Sequence, residues 1–230
     1  MIVAGGVIVY SEKQALNVSK IVDGKIEYIF VDAEKKIADH QSVDGETANI
    51  ERVVRENINK SKLFLYKGND LSVESVDSLL SYLHKDDLTG LGGKKICIIG
   101  SGNLGTKLSI KLVERGADVT ISRRNRQKLQ TLALAVNIIK PKYTKAKVKF
   151  DTSNFKASKN AEILIGCTNG VQSITSSIIK NVSNRCIIIE AGKGTLSLNA
   201  VKEANNRKLK IYRLDVTSSL TGLISQQLSL

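Results

Sequence analysis

A glycine-rich segment near the middle of the chain has the spacing of a loop that holds phosphate groups. It follows an apolar, strand-like run and opens a stretch with helical periodicity. Gly100 would make the tight turn out of the strand, Gly102 would let the backbone approach a pyrophosphate, and Gly105 would let the helix pack closely on the strand. The free N–H groups and positive dipole end of such a helix attract phosphates, so we predict a dinucleotide site, the alternative being a turn that binds nothing. The residues of this loop are Gly100, Ser101, Gly102, Asn103, Leu104 and Gly105.

The residues after the next predicted strand indicate which dinucleotide is bound. A site that prefers NAD carries Asp or Glu there, which accepts hydrogen bonds from the ribose hydroxyls. This chain has no acid at that point and carries one hydroxyl and three guanidinium groups, those of Ser122, Arg123, Arg124 and Arg126. Guanidinium groups pair with a phosphate bidentately, so we predict NADP(H) rather than NAD(H). The alternative for Arg124 or Arg126 is a solvated side chain at a helix start.

Polar residues also follow two later predicted strands, at the edge where an open parallel sheet binds its ligands. Cys167, Thr168 and Asn169 end a buried strand, and we predict that they lie on the nicotinamide side of the cofactor. The alternative for Asn169 and the glycine after it is a plain turn. Lys193 lies between two glycines after the following strand. Its ammonium would hold an anionic substrate or donate a proton, unless it is a solvated loop residue.

Acid–base candidates in the first part of the chain are few. Lys67 and Asp70 follow a short apolar strand, and we predict that they manage a proton, with a helix-capping loop as the alternative. His40 is a further candidate in a polar segment. No His, Cys and carboxylate spacing indicates a metal site, and the three cysteines lie in apolar runs, which is typical of small buried hydrophobic residues.

Hydrophobic periodicity predicts an α/β fold. A small N-terminal α/β domain, residues 1–90, is followed by a doubly wound parallel-sheet Rossmann domain, residues 91–230, with a glycine cluster between them. Regular alternation of strands and helices implies a parallel sheet covered on both faces. Two apolar runs, Ile2–Tyr10 and Lys25–Asp32, come first. The predicted strands are Lys62–Tyr66, Lys95–Ile99, Asp118–Ile121, Val148–Phe150, Glu162–Cys167, Arg185–Glu190 and Lys210–Leu214. The predicted helices are Gly45–Ile58, Val73–Leu83, Asn103–Arg115, Arg126–Asn137, Val171–Ile179, Ser197–Asn206 and a last one from Ser218.

The 230 residues carry a formal net charge of +13, which is unevenly distributed. The first 93 residues hold 11 Lys and Arg against 15 Asp and Glu, and the remaining residues hold 24 against 7. This asymmetry predicts two modules, the second of which handles anions. Nucleic acid is not favoured as that anion, because aromatic residues make up only 4% of the chain and no nucleic-acid-binding motif is present.

The sequence gives no indication of membrane insertion or secretion. No apolar run approaches the ~20 residues that span a bilayer. The start of the chain lacks the basic region and cleavage site of a signal peptide. We therefore expect a reduced, cytoplasmic protein without a membrane partner, and the oligomeric state stays open, with a homodimer as one alternative.

The segment Leu91–Asn137 resembles the NADP-binding half of shikimate dehydrogenases. That half has a glycine-rich loop and then a strand ending in a phosphate clamp of the Asn-Arg-Thr type. The segment is also similar to the methylene-tetrahydrofolate and methylene-tetrahydromethanopterin dehydrogenases, which combine a small N-terminal substrate domain with a C-terminal Rossmann domain. The first 90 residues lack the substrate motifs of shikimate and folate dehydrogenases. The resemblance therefore implies cofactor and architecture, and it leaves the substrate open.

Two functions from different classes follow from these features. The first is an NADP-dependent oxidoreductase that transfers a hydride to or from a small polar metabolite bound between the two domains. The second is a regulatory module that binds NADP(H) without turning it over, because the acid–base residues in the first 93 positions are few.

Overall fold

The computed structural model describes residues 5–34, 37–38 and 47–229. It divides into two compact units, Met1–Asn69 and Asp70–Leu230. His40 lies outside the described residues, as do the first three residues of the apolar run Ile2–Tyr10. The described part of that run, residues 5–10, is not in a strand or a helix. Across the part of the chain that is described, no helix combines the length and apolar character needed to cross a bilayer.

The second unit is built on a six-stranded, all-parallel sheet. The strand order is β10-β9-β8-β5-β6-β7. Strands β6 and β7 are added on one side of β5, and β8, β9 and β10 are added on its other side, as in the dinucleotide-binding doubly wound fold. The strands are β5 (Lys95–Ile99), β6 (Asp118–Ser122), β7 (Val148–Asp151), β8 (Ile163–Gly166), β9 (Ile187–Glu190) and β10 (Lys210–Arg213). The helices are α3 (Gly68–Leu83), α4 (Asn103–Glu114), α5 (Arg126–Ile139), α6 (Asn154–Ala157), α7 (Ser176–Asn181), α8 (Leu198–Asn206) and α9 (Thr217–Leu228).

The sheet of the second unit is buried on both faces, which confirms the predicted fold class. Successive residues of β5 belong to opposite faces: Ile96 and Ile98 pack with α3, α4 and α5, whereas Cys97 and Ile99 pack with α6, α7 and α8. This arrangement explains why the strands are continuous apolar runs rather than alternating ones.

The first unit has a smaller core around two parallel strands. Its elements are α1 (Glu12–Val22), β1 (Tyr28–Asp32), β2 (Ile37–Ala38), β3 (Thr47–Ala48), α2 (Ile50–Asn57) and β4 (Lys62–Tyr66). Strands β1 and β4 pair in parallel, and β2 and β3 form a short antiparallel pair. The core residues are Ala15, Val31, Ala48, Ile50, Val53, Val54 and Ile58.

The unit boundary differs from the one predicted at residue 90. Apart from its first two residues, α3 belongs to the second unit, because Val73, Val76 and Leu80 are buried in the same cluster as the sheet. Charges on α3 also face charges on α4. The bonds are Lys107 Nζ to Asp70 Oδ1 at 2.6 Å, Lys111 Nζ to Glu74 Oε1 at 2.5 Å, and Arg115 to both carboxylate oxygens of Asp77 at 2.5 and 2.6 Å.

This boundary changes how the net charge is distributed. Residues 1–69 hold 10 Lys and Arg against 10 Asp and Glu, and residues 70–230 hold 25 against 12. The first unit is therefore neutral, and the acids that made residues 1–93 negative lie on α3 and in the turn after it. They offset cations of the second unit rather than forming an acidic domain.

Most predicted elements are present, and the differences are local. The predicted strands at β4 and β5 have the observed bounds. Helices α1 and α6 were missed, and the helix predicted over Val171–Ile179 begins only at Ser176. The residues before Ser176 instead make a turn and a bridge from Ile174 to Leu196.

The pairing of α3 with α4 predicts unequal effects of removing two carboxylates. The Asp77 side chain is 6% exposed, whereas that of Glu74 is 59% exposed. We expect Asp77→Ala to lower the free energy of unfolding by about 2 kcal/mol, since it removes the charged hydrogen bond from Arg115 Nη2 and the ion-pair contact with Arg115 Nε. Glu74→Ala is the matched control and should lower the free energy of unfolding by no more than about 0.5 kcal/mol. Urea denaturation measures both, and equal losses would contradict the role of Asp77.

Candidate dinucleotide-binding site

The loop between β5 and α4 turns where only glycine fits. Gly100 has φ +101°, a left-handed conformation that side chains disfavour. A Cβ atom on Gly100 would lie 2.8 Å from the backbone N of Thr168. The N–H groups of Gly100 and Ser101 both donate to the carbonyl of Ser122, at 3.0 and 3.2 Å. The loop is therefore held between the ends of β6 and β8.

The next two glycines have different environments, which fits the roles predicted for them. A Cβ on Gly105 would lie 2.3 Å from the carbonyl oxygen of Gly100, so this glycine lets α4 pack directly on the turn. A Cβ on Gly102 would meet no atom within 4 Å. The space above Gly102 is therefore open, as a pyrophosphate would require.

No side chain caps the start of α4 in the described part of the chain. Helices α1, α2, α5, α6 and α8 each have a Ser or Asn side chain that accepts a hydrogen bond from their first turn, whereas α7 and α9, like α4, have no such side chain. At α4 the N-cap residue is Gly102, and Asn103 and Leu104 begin the helix. The free N–H groups and the dipole end are thus available to an anion.

The carboxyl ends of three adjacent strands lie backbone against backbone beside this loop. A Cβ on Gly192, after β9, would lie 2.1 Å from the carbonyl oxygen of Thr168, after β8. A Cβ on Gly166 would lie 2.4 Å from Oγ1 of the buried Thr195. Together with Gly100, these glycines give the sheet a flat edge at the point where the strand order reverses. Ligands of this fold bind at that point.

The structure places Arg123 at the loop and leaves Arg124 and Arg126 exposed. Arg123 Nη1 donates to the carbonyl of Ser101 at 3.1 Å, which holds the guanidinium beside the turn. The hydroxyl predicted to help with the phosphate is engaged elsewhere. Ser122 is fully buried and its Oγ donates to Asn154 Oδ1 at 2.7 Å. Ser122 therefore shapes the site through its carbonyl and its hydroxyl, and it offers no donor to a 2′-phosphate.

One acid that the sequence analysis missed lies close to this end of the sheet. Asp151 ends β7 and pairs in register with Ser122. Its Oδ1 accepts a hydrogen bond from the N–H of Ser153 at 2.8 Å. The residues that follow β6 give no sign of this acid, because Asp151 lies about thirty residues later and reaches the site only through the pairing of β7 with β6.

The three residues after β8 have different environments. Cys167 is held by its N–H, which donates to the carbonyl of Ile99 at 2.7 Å. Burial raises the pKa of its thiol to about 12, so the sulfur is protonated at neutral pH. Thr168 Oγ1 donates to the carbonyl of Val171 at 2.9 Å and lies 2.8 Å from Ser173 Oγ. Asn169 is exposed.

Lys193 is exposed, and its backbone joins two loops of the site. Its carbonyl accepts a hydrogen bond from the N–H of Gly170 at 2.8 Å, so the loops after β8 and β9 are tied together. The side chain of Glu190, at the end of β9, is bonded elsewhere. The Glu190 carboxylate accepts hydrogen bonds from the N–H groups of Thr195 and Leu196 at 2.8 and 3.3 Å, and its other oxygen lies 3.9 Å from Arg213.

The predicted pair Lys67 and Asp70 is not an ion pair. Asp70 bonds to Lys107 on α4, and Lys67, an exposed residue, lies in the first unit. The described residues also contain no group of three His, Cys, Asp or Glu side chains arranged to bind a metal ion.

Comparison with known families supports an oxidoreductase. Residues 95–194 match the family model described as NADP oxidoreductase, coenzyme F420-dependent. The match begins at β5 and ends at Gly194, so it includes the glycine loop, the three arginines and the loops after β8 and β9. No curated protein matches the chain.

Solved structures share the fold at low sequence identity. Dipicolinate synthase A chain from Bacillus subtilis aligns with a TM-score of 0.51 at 13% identity, over 98% of this chain and 71% of that one. The Bacillus halodurans enzyme aligns with a TM-score of 0.49 at 12% identity, over 81% and 70%. An NADPH-dependent glyoxylate/hydroxypyruvate reductase from Sinorhizobium meliloti, in complex with NADP and sulfate, aligns at 0.47 and 12% identity, over 75% and 69%.

The alignment with the Bacillus subtilis structure shows the fold alone, which is of the Rossmann type. The family match supports the prediction of an oxidoreductase. None of the relatives named above is a shikimate or methylene-tetrahydrofolate dehydrogenase, so that resemblance stays a prediction.

The contrast between two glycines of the loop can be tested by adding a methyl group to each. Gly105→Ala should lower the free energy of unfolding by about 2 kcal/mol, because its Cβ overlaps the Gly100 carbonyl. Gly102→Ala should cost less than about 1 kcal/mol, since its Cβ meets open space. Its methyl group would nevertheless obstruct a pyrophosphate, so NADPH affinity should fall. Unchanged NADPH affinity in Gly102→Ala would contradict the site.

The buried thiols give a second prediction. Burial raises the pKa of Cys167 and of Cys186 to about 12, from 9.0, and raises that of Cys97 as well. Alkylation needs the thiolate. Iodoacetamide at pH 8.5 should therefore leave the native chain almost unlabelled, and mass spectrometry should show three labels after unfolding in urea. Rapid labelling of the native chain at Cys167 would contradict the environment described here.

Proposed function

We propose that the chain is an NADP-dependent dehydrogenase that acts on a small polar metabolite. The observation that carries this proposal is the uncapped start of α4, which lies beside an open glycine and a guanidinium fixed on the loop. Such a start suits a pyrophosphate, and a guanidinium at the end of β6 suits a 2′-phosphate. The matched family model, an NADP oxidoreductase, supports the same assignment.

Each part of the site has a physical task in this proposal. When bound, the nicotinamide cofactor accepts or supplies the hydride. The free N–H groups at the start of α4 bind the pyrophosphate and orient it along the helix axis. Arg123 and Arg124 hold the 2′-phosphate. The loops after β8 and β9, joined from Gly170 to Lys193, border the nicotinamide end.

Lys193 is the residue of this edge best suited to the substrate. Its ammonium is exposed, and its backbone is fixed by the Gly170 hydrogen bond. A cation there would bind a carboxylate or carbonyl oxygen and stabilise negative charge that develops on oxygen during hydride transfer to a carbonyl. Asp70 is less suitable as an acid or base, because its carboxylate is bonded to Lys107.

The second candidate function is a module that senses NADP(H) without turning it over. The ion pair of Asp70 with Lys107 favours it, because that pair removes one of the few acid–base groups predicted from the sequence. Tight NADPH binding without hydride transfer across a panel of carboxylate and carbonyl metabolites, followed at 340 nm, would favour the sensor.

The choice of cofactor is tested with arginine variants and calorimetry. Arg123→Ala and Arg124→Ala should each weaken NADPH binding by about tenfold or more, since each removes charged hydrogen bonds to the 2′-phosphate. Their affinity for NADH should stay within about threefold of the parent protein, because NADH lacks that phosphate.

Two further variants make this test specific. Arg185→Ala is the matched control, since it removes the same charge from an exposed residue before β9, at the opposite edge of the sheet. It should change neither affinity. Asp151→Asn removes the acid next to Ser122 and should raise NADPH affinity slightly. If Asp151→Asn weakens NADH binding while the Arg123 and Arg124 variants change nothing, the cofactor is NAD(H) and the proposal is wrong.

A further inference from the structure

Asn154, the first residue of the four-residue helix α6, joins the end of β6 to the segment that follows β8, a strand that is not next to β6 in the sheet. Its Oδ1 accepts the hydrogen bond from Ser122 Oγ at 2.7 Å, at the end of β6. Its Nδ2 donates to the carbonyl of Ser173 at 3.3 Å, in the segment that follows β8. Strand β5 lies between β6 and β8 in the sheet.

The hydrogen bonds continue from Ser173 to the loop after β8. Ser173 Oγ and Thr168 Oγ1 are 2.8 Å apart, and either atom could supply the proton. Because Thr168 Oγ1 donates its proton to the carbonyl of Val171, Ser173 is the donor in this pair. The first two bonds share the Asn154 amide, which accepts from Ser122 and donates to the Ser173 carbonyl. The third bond starts from another group of the same residue, the Ser173 hydroxyl, so Ser173 connects Asn154 to Thr168.

A packing contact and two backbone hydrogen bonds complete a ring of contacts around the end of β5. Thr168 packs against Gly100 so closely that a Cβ on the glycine would overlap it. Gly100 and Ser101 donate through their N–H groups to the Ser122 carbonyl, where the ring begins. Among the described residues, Asn154 is the one side chain that bonds both to the end of β6 and to the segment after β8.

We propose that Asn154 is a positioning residue that sets the distance between the two halves of the dinucleotide site. It does not touch the cofactor in this assignment. It holds Ser122, and through it the strand end that carries Arg123, in register with Thr168 and the loop on the nicotinamide side. The inference rests on the proposed function, since it needs a dinucleotide that spans both strand ends.

This assignment predicts a selective defect. An intact dinucleotide contacts both halves of the site, so it binds more tightly when the two halves are already held at the right distance. A ligand that contacts one half does not have this advantage. Adenosine 2′,5′-bisphosphate carries the 2′-phosphate and the adenosine but has no nicotinamide end. Loss of Asn154 should therefore weaken NADPH more than this half-ligand. A purely structural asparagine would lower stability and leave the ratio of the two affinities unchanged.

The experiment compares Asn154→Ala with Asn137→Ala. Asn137 is a matched control because it also makes two side-chain bonds within the same unit, to the N–H and the carbonyl of Val148, and stands outside the ring. Calorimetry with NADPH and with adenosine 2′,5′-bisphosphate, and urea denaturation, are run on both variants. Asn154→Ala should weaken NADPH by about three- to tenfold and the half-ligand by less than twofold. Asn137→Ala should lose comparable stability with both affinities unchanged.

A second variant covers the case in which Asn154→Ala does not fold. Ser173→Ala removes only the hydroxyl that bonds to Thr168 and keeps the carbonyl that Asn154 needs. It should show the same selective loss for NADPH.

The outcomes separate the inference from the proposed function. If the parent protein binds NADPH and the two ring variants keep its ratio of affinities, the positioning role is wrong and the proposed function stands. The same holds if Asn137→Ala shifts that ratio as much as Asn154→Ala does. If the parent protein binds neither NADPH nor the half-ligand, the proposed function fails and the inference fails with it.

Discussion

Direct packing of backbone on backbone at the carboxyl edge of the sheet is the constraint on which the site depends. Gly100 lies against Thr168, Thr168 lies against Gly192, and Gly105 lies against the carbonyl of Gly100. A Cβ at any of these three glycines would lie closer than 3.0 Å to a backbone atom, so a side chain there would force the backbone to shift. Because these positions carry no side chains, the first turn of α4 reaches the level of the strand ends. Its free N–H groups face the open space above Gly102. The binding surface is thus made mostly of backbone, and side chains such as Arg123 act at its margin.

The fold shows which parts of the chain carry its excess positive charge. The net charge of +13 resides in the second unit, where the acids of α3 are consumed by cations of α4. These ion pairs bury Asp77 and hold α3 against the sheet. They therefore stabilise the fold, and their opposite charges cancel rather than attract a charged ligand. Arg124 and Arg126 have no carboxylate partner among the described residues. An anion is bound most favourably where unpaired cations lie beside a helix start that has no capping side chain.

Local patterns in the sequence predicted the strands, the glycine loop and the helix that follows it, because apolar runs and glycine spacing act over a few residues. The features that the sequence did not reveal depend on pairings across the fold. Ser122 was predicted to add a hydroxyl donor for the phosphate, yet its hydroxyl bonds to Asn154, thirty-two residues later. Asp151 reaches the same place through strand register. The domain boundary was set at the glycine cluster, although the buried face of α3 already belongs to the sheet. Which side chain bonds to which, and where a domain ends, depends on contacts between distant segments. A single sequence does not show how those segments pair.

The short crossover between β7 and β8 links these observations. A full helix there would cover the face of β5, β6 and β7, but α6 has four residues and leaves a cavity of about 300 Å³ lined by Cys97, Thr120, Lys149 and Ala157. Incomplete cover lowers the apolar area buried on that face. Asn154 is the first residue of this helix, so its bond to Ser122 depends on where α6 begins and not on how long it is. Without that acceptor the buried Ser122 hydroxyl would be left unsatisfied, a cost of about 1–3 kcal/mol. The start of α6 therefore serves the site, whereas its short length leaves this face of the core less covered.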